Sequence, residues 1–158
     1  IYTKLNNKNH FVPVHVLLYT LPGKPSIYYG SEFAIEGEKK PYADDILRPE
    51  LNFEDYNTSL ESNENTKLIA ALGNMRISNP WVGEAGYREL LLTNRQYAFL
   101  REYGDKRLVA IVNNDDNNAD IHLNINGEFT EIFSGEKRNF DGNMHVNIPG
   151  NSGQVWIG

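Results

Sequence analysis

The reading of this chain turns on residues 21–33, "LPGKPSIYYGSEF". Pro22-Gly23 signals a turn, and Pro25 biases the residue before it toward an extended path. Ile27, Tyr28 and Tyr29 then form a short β-prone run that Gly30 closes. A run with no polar alternation suits a strand buried on both faces, as in parallel sheets. Such a strand needs parallel neighbours, so the flanking sequence has to be searched for them.

Upstream, Asn6 to Tyr19 is patterned as a helix, with Phe11, Val14, Leu17, Leu18 and Leu21 at helical spacing. Pro13 is acceptable in its first turn, and Gly23 suits a position just past its end. Downstream, Ser31 to about Asn63 is charged and weakly periodic. Connections longer than about 12–15 residues are uncommon and often functional. A second helix is predicted from about Glu64 to Ile77, with Ser62 as N-cap, a stripe of Leu68, Leu72 and Met75, and Pro80 just beyond.

Past Trp81 the period changes to two. "YRELLLT", "QYAFLREY", "RLVAIVNN", "ADIHLNI", "FTEIFSG", "HVNIPG" and "QVWIG" are candidate strands, separated by turns such as "YGDKR", "NNDDNNA", "NING" and "NFDGN". In "ADIHLNI", Ile121, Leu123 and Ile125 face one way while His122, Asn124 and Asn126 face the other. Short strands this closely spaced predict an antiparallel β-sandwich, which offers nothing parallel to "SIYYG". The expected fold class is therefore α+β. Residues 1–80 form the last helix–strand–helix portion of a (β/α)8 barrel, and residues 81–158 an antiparallel β-sandwich.

Composition narrows the partners. The chain has 158 residues, 40% of them hydrophobic and 23% charged, which is globular material. A net charge of −6 and a pI of about 5.2 count against nucleic acid, since phosphate binding needs a basic face. Without cysteine there is no disulfide framework and no thiolate metal site. No apolar run reaches the roughly 20 residues a membrane span requires, and no signal peptide is visible. A cytoplasmic location is favoured on that basis. The chain begins at Ile1 rather than Met, and the natural N-terminus is expected to lie upstream.

"VHVLLYTLPGKPSIYYGSEFAIEGEKKPYADDILRP" is similar to the end of the catalytic barrel of the α-amylase superfamily, glycoside hydrolase family thirteen. There a helix ending in T-x-P-G-x-P leads into an eighth strand, I-Y-Y-G-x-E, and then a loop carrying Asp and Arg. "LIAALGNMRISNPWVGEAGYREL" resembles the last barrel helix and the passage into the C-terminal domain. "QYAFLREYGDKRLVAIVNN" resembles that domain's first strands. The "E-G" and "D-x-x-L-R-P" details lean toward the cyclomaltodextrinase and neopullulanase branch.

The resemblance implies an α-glucan or maltooligosaccharide as substrate of the parent enzyme and no cofactor. It also implies that the catalytic carboxylates lie elsewhere: two come from the fourth and fifth barrel strands, and an aspartate in N-H-D falls just before Ile1. Glycoside hydrolysis needs two carboxyl groups flanking the bond, so this chain alone is expected to be inactive. The candidate substrate-binding residues are Asp44 and Arg48, the family's D-x-x-x-R pair, with Asp45 as the alternative acid. A carboxylate and a guanidinium together offer acceptors and fixed donors to vicinal hydroxyls. The plainer reading is a loop ion pair before Pro49.

Other candidates carry less. Glu32 matches the family's Y-Y-G-x-E glutamate and is read as fixing local backbone. Glu36, Glu38, Asp44 and Asp45 read as solvated loop acids rather than an acid pair. His10, His15, His122 and His145 lack metal-ligand spacing and are expected to face solvent or to cap. "GNSGQ" lacks the spacing of a nucleophile elbow, and Asn57-Thr58-Ser59 fits a glycosylation acceptor. Tyr97, Phe99 and Tyr103 share a strand face and are read as core. Trp156, out of phase with Val155 and Ile157, is the expected exposed sugar platform. Trp81 is expected where the last helix meets the sandwich. Apolar faces patterned for an absent barrel predict a possible homo-oligomer.

Overall fold

The computed structural model describes residues 1–42 and 45–158. Three helices precede eight strands: α1 (Phe11–Thr20), α2 (Ser59–Ser62), α3 (Glu64–Ser78), β1 (Gly86–Leu92), β2 (Gln96–Tyr103), β3 (Lys106–Asn113), β4 (Ala119–Leu123), β5 (Gly127–Glu131), β6 (Lys137–Phe140), β7 (Met144–Ile148) and β8 (Ser152–Ile157). Helix α1 starts five residues later than its apolar pattern suggests, because Tyr2–Lys4 and Lys8–His10 form separate 3-10 turns. Pro13 does fall in the first turn of α1, where its missing N–H costs nothing. The N-cap of α3 is Asn63 rather than Ser62. Its side chain accepts from the N–H groups of Asn65 and Thr66, while Ser62 ends α2. Leu72 and Met75 are buried as expected, joined by Thr66 and Ile69, whereas Leu68 is half-buried.

Strands β1, β2, β3, β8, β5 and β6 form one antiparallel sheet in that order, and β4 pairs with β7 in a second. Eight strands replace the seven expected. The extra one, β6, is "KRNF", a polar strand that shows no alternation and so leaves no periodic signal. The six-stranded sheet is covered on both faces. On one side Phe99, Leu108, Ala110, Val112 and Val155 pack against Phe11 and Val16 of α1 and Leu72 and Met75 of α3. On the other, Ala98, Leu100, Val109, Ile111 and Trp156 pack against Ile121, Leu123, Met144, Val146 and Ile148 of the small sheet. Three layers result: helices, large sheet, small sheet.

This arrangement corrects the expectation for Trp156. Being out of phase with Val155 does not put it in water, because the second face of the sheet is also interior. Its ring is 1% exposed, lies edge-on to Phe140 at 5.5 Å, and donates its indole N–H to Gln154 Oε1 at 3.0 Å. Trp81 is buried, as expected, in a turn between α3 and β1, in the cluster that joins the helices to the sheet. In the row Tyr97–Phe99–Tyr103, Phe99 is core, Tyr97 half-buried and Tyr103 exposed.

Arg101 occupies the same face and is fully buried. Its Nε donates to Gly86 O (2.9 Å), Nη1 to Thr20 O (2.7 Å), and Nη2 to Val82 O (2.9 Å) and Ala85 O (2.7 Å). One guanidinium thereby joins the C-terminal end of α1, the turn after α3, and the start of β1 to the sheet. Burial and the neighbouring Arg76 both pull its pKa down, yet main-chain carbonyl dipoles hold the charge in place. His15 is another correction. It is buried in α1, its ring tilted by 31° against Phe11 at 3.9 Å, with Nδ1 donating to Phe11 O at 2.8 Å.

Candidate functional site

The stretch from Lys24 to Tyr28 has no regular secondary structure and pairs with no strand among the described residues, so "SIYYG" is not a strand here, and Tyr28 and Tyr29 are exposed at 52% and 45%. The physical reason is the one raised by the sequence. An extended segment becomes a strand only beside a partner, and the nearby elements are helices and loop. Gly30 then turns the chain with φ +79, a left-handed conformation that glycine reaches without strain.

From Ser31 to Asn57 the described residues hold short 3-10 turns, at Ser31–Phe33, Asp45–Leu47 and Phe53–Tyr56, and a single bridge residue, Lys40. The segment is nevertheless tied at several points. At its base, Thr66 Oγ1 of α3 donates to Glu32 O (2.8 Å) and Asn63 Nδ2 to Phe33 O (3.4 Å), while Phe33 stacks on Tyr56 at 4.2 Å. On the other side, Gly37 N donates to Thr3 Oγ1 (2.8 Å) and Lys8 pairs with Glu36 (2.9 Å). The tie at Glu32 runs through its main-chain carbonyl rather than its carboxylate, and Glu36 is occupied by an ion pair.

The two tyrosines close the far end. Arg48 Nε donates to the Tyr28 hydroxyl at 3.0 Å, and the Tyr29 hydroxyl donates to Pro49 O at 3.0 Å. Between them lies an open cleft of about 430 Å³ lined by Tyr28, Tyr29, Arg48, Pro49 and Glu50. It combines aromatic faces, a guanidinium and a carboxylate, a set suited to a polyhydroxylated ligand with an apolar face. Of the candidates from sequence, Arg48 lies in this cleft and Asp44 lies outside the described residues. Asp45 is exposed in its 3-10 turn, and its carbonyl accepts from Arg48 N at 3.0 Å. Tyr28, Tyr29 and Glu50 were missed as lining groups. The signal available was the pair of adjacent tyrosine hydroxyls, too polar for a segment buried on both faces.

Elsewhere, His122 and His145 sit opposite each other on β4 and β7, exposed and stacked at 4.1 Å, with His145 Nε2 3.5 Å from Asp120. Among the described residues no group of three or more His, Asp or Glu side chains is placed to hold a metal ion. No helix among them is long and apolar enough to cross a membrane.

Residues 92–157 match the family described as "Alpha amylase, C-terminal all-beta domain". No curated protein matches the chain in sequence. Solved structures match it in fold. An Anoxybacillus α-amylase is 22% identical with a TM-score of 0.76, over 95% of this chain and 32% of that one. The α-amylase of Geobacillus thermoleovorans, complexed with acarbose, is 18% identical with a TM-score of 0.73, over 95% of this chain and 32% of that one. The γ-CGTase of alkalophilic Bacillus clarkii is 18% identical with a TM-score of 0.77, over 99% of this chain and 24% of that one. The chain thus spans at most about a third of the length of these enzymes. In its β-strands, in its three helices and in the family model matched by residues 92–157, the chain resembles the C-terminal part of the α-amylase superfamily.

Proposed function

We propose that this chain is the C-terminal portion of an α-glucan-acting glycoside hydrolase, comprising the end of its barrel (residues 1–80) and its β-domain (81–158). The single observation that carries the reading is the cleft of Tyr28, Tyr29, Arg48 and Glu50 on a fold of the α-amylase type. In this reading Lys24–Tyr28 is the last barrel strand without its neighbours, and α1 and α3 are the helices flanking it. The cleft is one wall of the substrate groove, where Asp44 and Arg48 hold one glucose unit at a distance from the bond being cleaved. The acarbose complex of the G. thermoleovorans enzyme supports maltooligosaccharide as the ligand class.

The chemistry assigned to these residues is binding only. A retaining mechanism needs a nucleophile and an acid about 5 Å apart, and an inverting one needs a wider pair. Among the described acids of the loop, Glu36 is bound by Lys8, and Asp45 and Glu50 are exposed to water. Arg48 positions substrate for groups that another part of the enzyme supplies.

The test has two arms. The 158-residue chain is assayed for reducing-sugar release from maltooligosaccharides and cyclodextrin, with no turnover expected. Maltoheptaose is then titrated by NMR, with shifts expected in residues 28–29 and 48–50 that Arg48→Ala abolishes. Turnover that disappears on mutating an acid of residues 31–62 overturns the assignment of binding only. Shifts confined to the β-domain overturn the cleft.

A further inference from the structure

The turn between β4 and β5 carries chemistry unrelated to sugar binding. Asn126-Gly127 is the only Asn-Gly pair in the sequence. Asn126 is exposed and lies outside both strands, so its side chain can rotate. Gly127 has φ +106, and a Cβ there would stand 2.5 Å from Arg107 Nη2. The absence of a side chain at 127 therefore makes room for Arg107. The Arg107 main chain exchanges two hydrogen bonds with Gly158 (2.7 and 2.9 Å), and its guanidinium lies 4.8 Å over the Phe129 ring. Its Nη1 donates to Asn126 O at 2.8 Å and lies 3.5 Å from Asn126 Oδ1.

We infer that Asn126 is a self-modification site, where Gly127 N attacks the Asn126 side-chain amide and Arg107 stabilises the charge that develops. The balance is simple. Solvent hydroxide takes the Gly127 N–H proton. The resulting anion is shared between that nitrogen and Asn126 O, the atom Arg107 already touches. The N–Cγ bond forms, and negative charge passes to Oδ1, the second atom beside Arg107. The C–N bond to the amide breaks, and ammonia leaves with a proton from solvent. Water then opens the cyclic imide at either carbonyl, leaving aspartate or isoaspartate at 126. The net reaction is amide plus water to acid plus ammonia, with no other reactant. A fixed cation beside both oxygens acts as preorganised donors do wherever an oxyanion forms. Folding usually slows this reaction by fixing the backbone, and Gly127 is itself the first residue of β5, opposite Phe140 of β6; against that restraint the fold sets a cation beside both oxygens. The product carries a carboxylate against Arg107, at the entry to β5.

The experiment follows the native chain and the chain in urea at mildly alkaline pH, by peptide mapping that resolves aspartate from isoaspartate. In the native chain Asn126 converts before any other asparagine, including Asn151 before Ser152, and at least as fast as in urea, where Arg107 is not held in place. Arg107→Gln slows native conversion about fivefold, the scale of one solvent-exposed charge-assisted contact, and leaves the rate in urea unchanged. If Arg107→Gln fails to fold, by circular dichroism, the native-to-urea comparison of the unaltered chain decides. Slower conversion in the native state, or a variant that converts as fast as the parent, overturns the inference.

Discussion

Replacing Arg101 with methionine is the sharpest test of how the helices are held to the sheet. Methionine fills most of the arginine's volume, so the change removes hydrogen bonds more than packing. Four carbonyls lose a charged donor, and three of them, on Thr20, Val82 and Ala85, belong to buried residues. Each buried acceptor left unpaired costs about 1–3 kcal/mol. Against that stands relief from burying a guanidinium that no carboxylate accompanies among its hydrogen-bond partners, a penalty of several kcal/mol per buried ion before its bonds are counted. Because all four bonds are short, between 2.7 and 2.9 Å, the loss should dominate, leaving a net cost of about 3–5 kcal/mol. That is a large share of a typical total of about 5–15 kcal/mol, and it lowers the melting temperature by about 10 °C. Urea denaturation followed by circular dichroism gives the midpoint. Hydrogen exchange at residues 20–21 and 82–87 shows whether the loss is centred where the guanidinium sits. Arg101→Lys, which keeps the charge but loses the fork, should fall between the two. An Arg101→Met variant within 1 kcal/mol of the parent would refute the reasoning, and would mean that desolvation of the cation cancels its bonds.

Two further outcomes are expected. Glu131 is buried, with Oε2 accepting from Phe133 N, Ser134 N and Ser134 Oγ at 2.7–3.0 Å and Oε1 from Val155 N at 3.3 Å, so Glu131→Ala should cost about 2–4 kcal/mol in urea melts and raise hydrogen exchange in the 132–136 turn. Burial lowers the His15 pKa below 6.5, because a second ring proton would find no acceptor at Nε2; the stability this neutral ring contributes is full above about pH 6.5 and is lost as pH falls below it, so His15→Leu should flatten that part of the stability-versus-pH curve, and an unchanged curve would place the acid-sensitive group elsewhere.

The legible parts of this protein are those where a local pattern maps onto one environment. "QYAFLREY" became β2 from Gln96 to Tyr103, and the Pro80 stop and Pro13 start of the helices hold, because propensity and period agree there. The cleft was legible by half. Arg48 stands out beside Pro49, but its partner Tyr28 is twenty residues away, and no spacing rule connects a tyrosine after a proline turn to an arginine in a loop. Arg101 gave no signal either. A charged residue inside an alternating strand normally means a solvent face, and only the arrival of Thr20, Val82 and Ala85 at the same point makes it interior.

By itself, then, the order of residues determined the element types: helix, extended run, long loop, helix, antiparallel strands. It also determined the match of residues 92–157 to the α-amylase C-terminal all-beta domain. The tertiary structure alone decided which faces are inside. Trp156 and Val155 point opposite ways along β8, and both are buried because the small sheet covers one side of the large sheet and the helices the other. "SIYYG" has the composition of a buried strand, yet its tyrosines lie in a cleft wall because nothing pairs beside them. The reason is common to both cases. Periodicity records how side chains alternate along one segment, while burial depends on what other segments bring to each face.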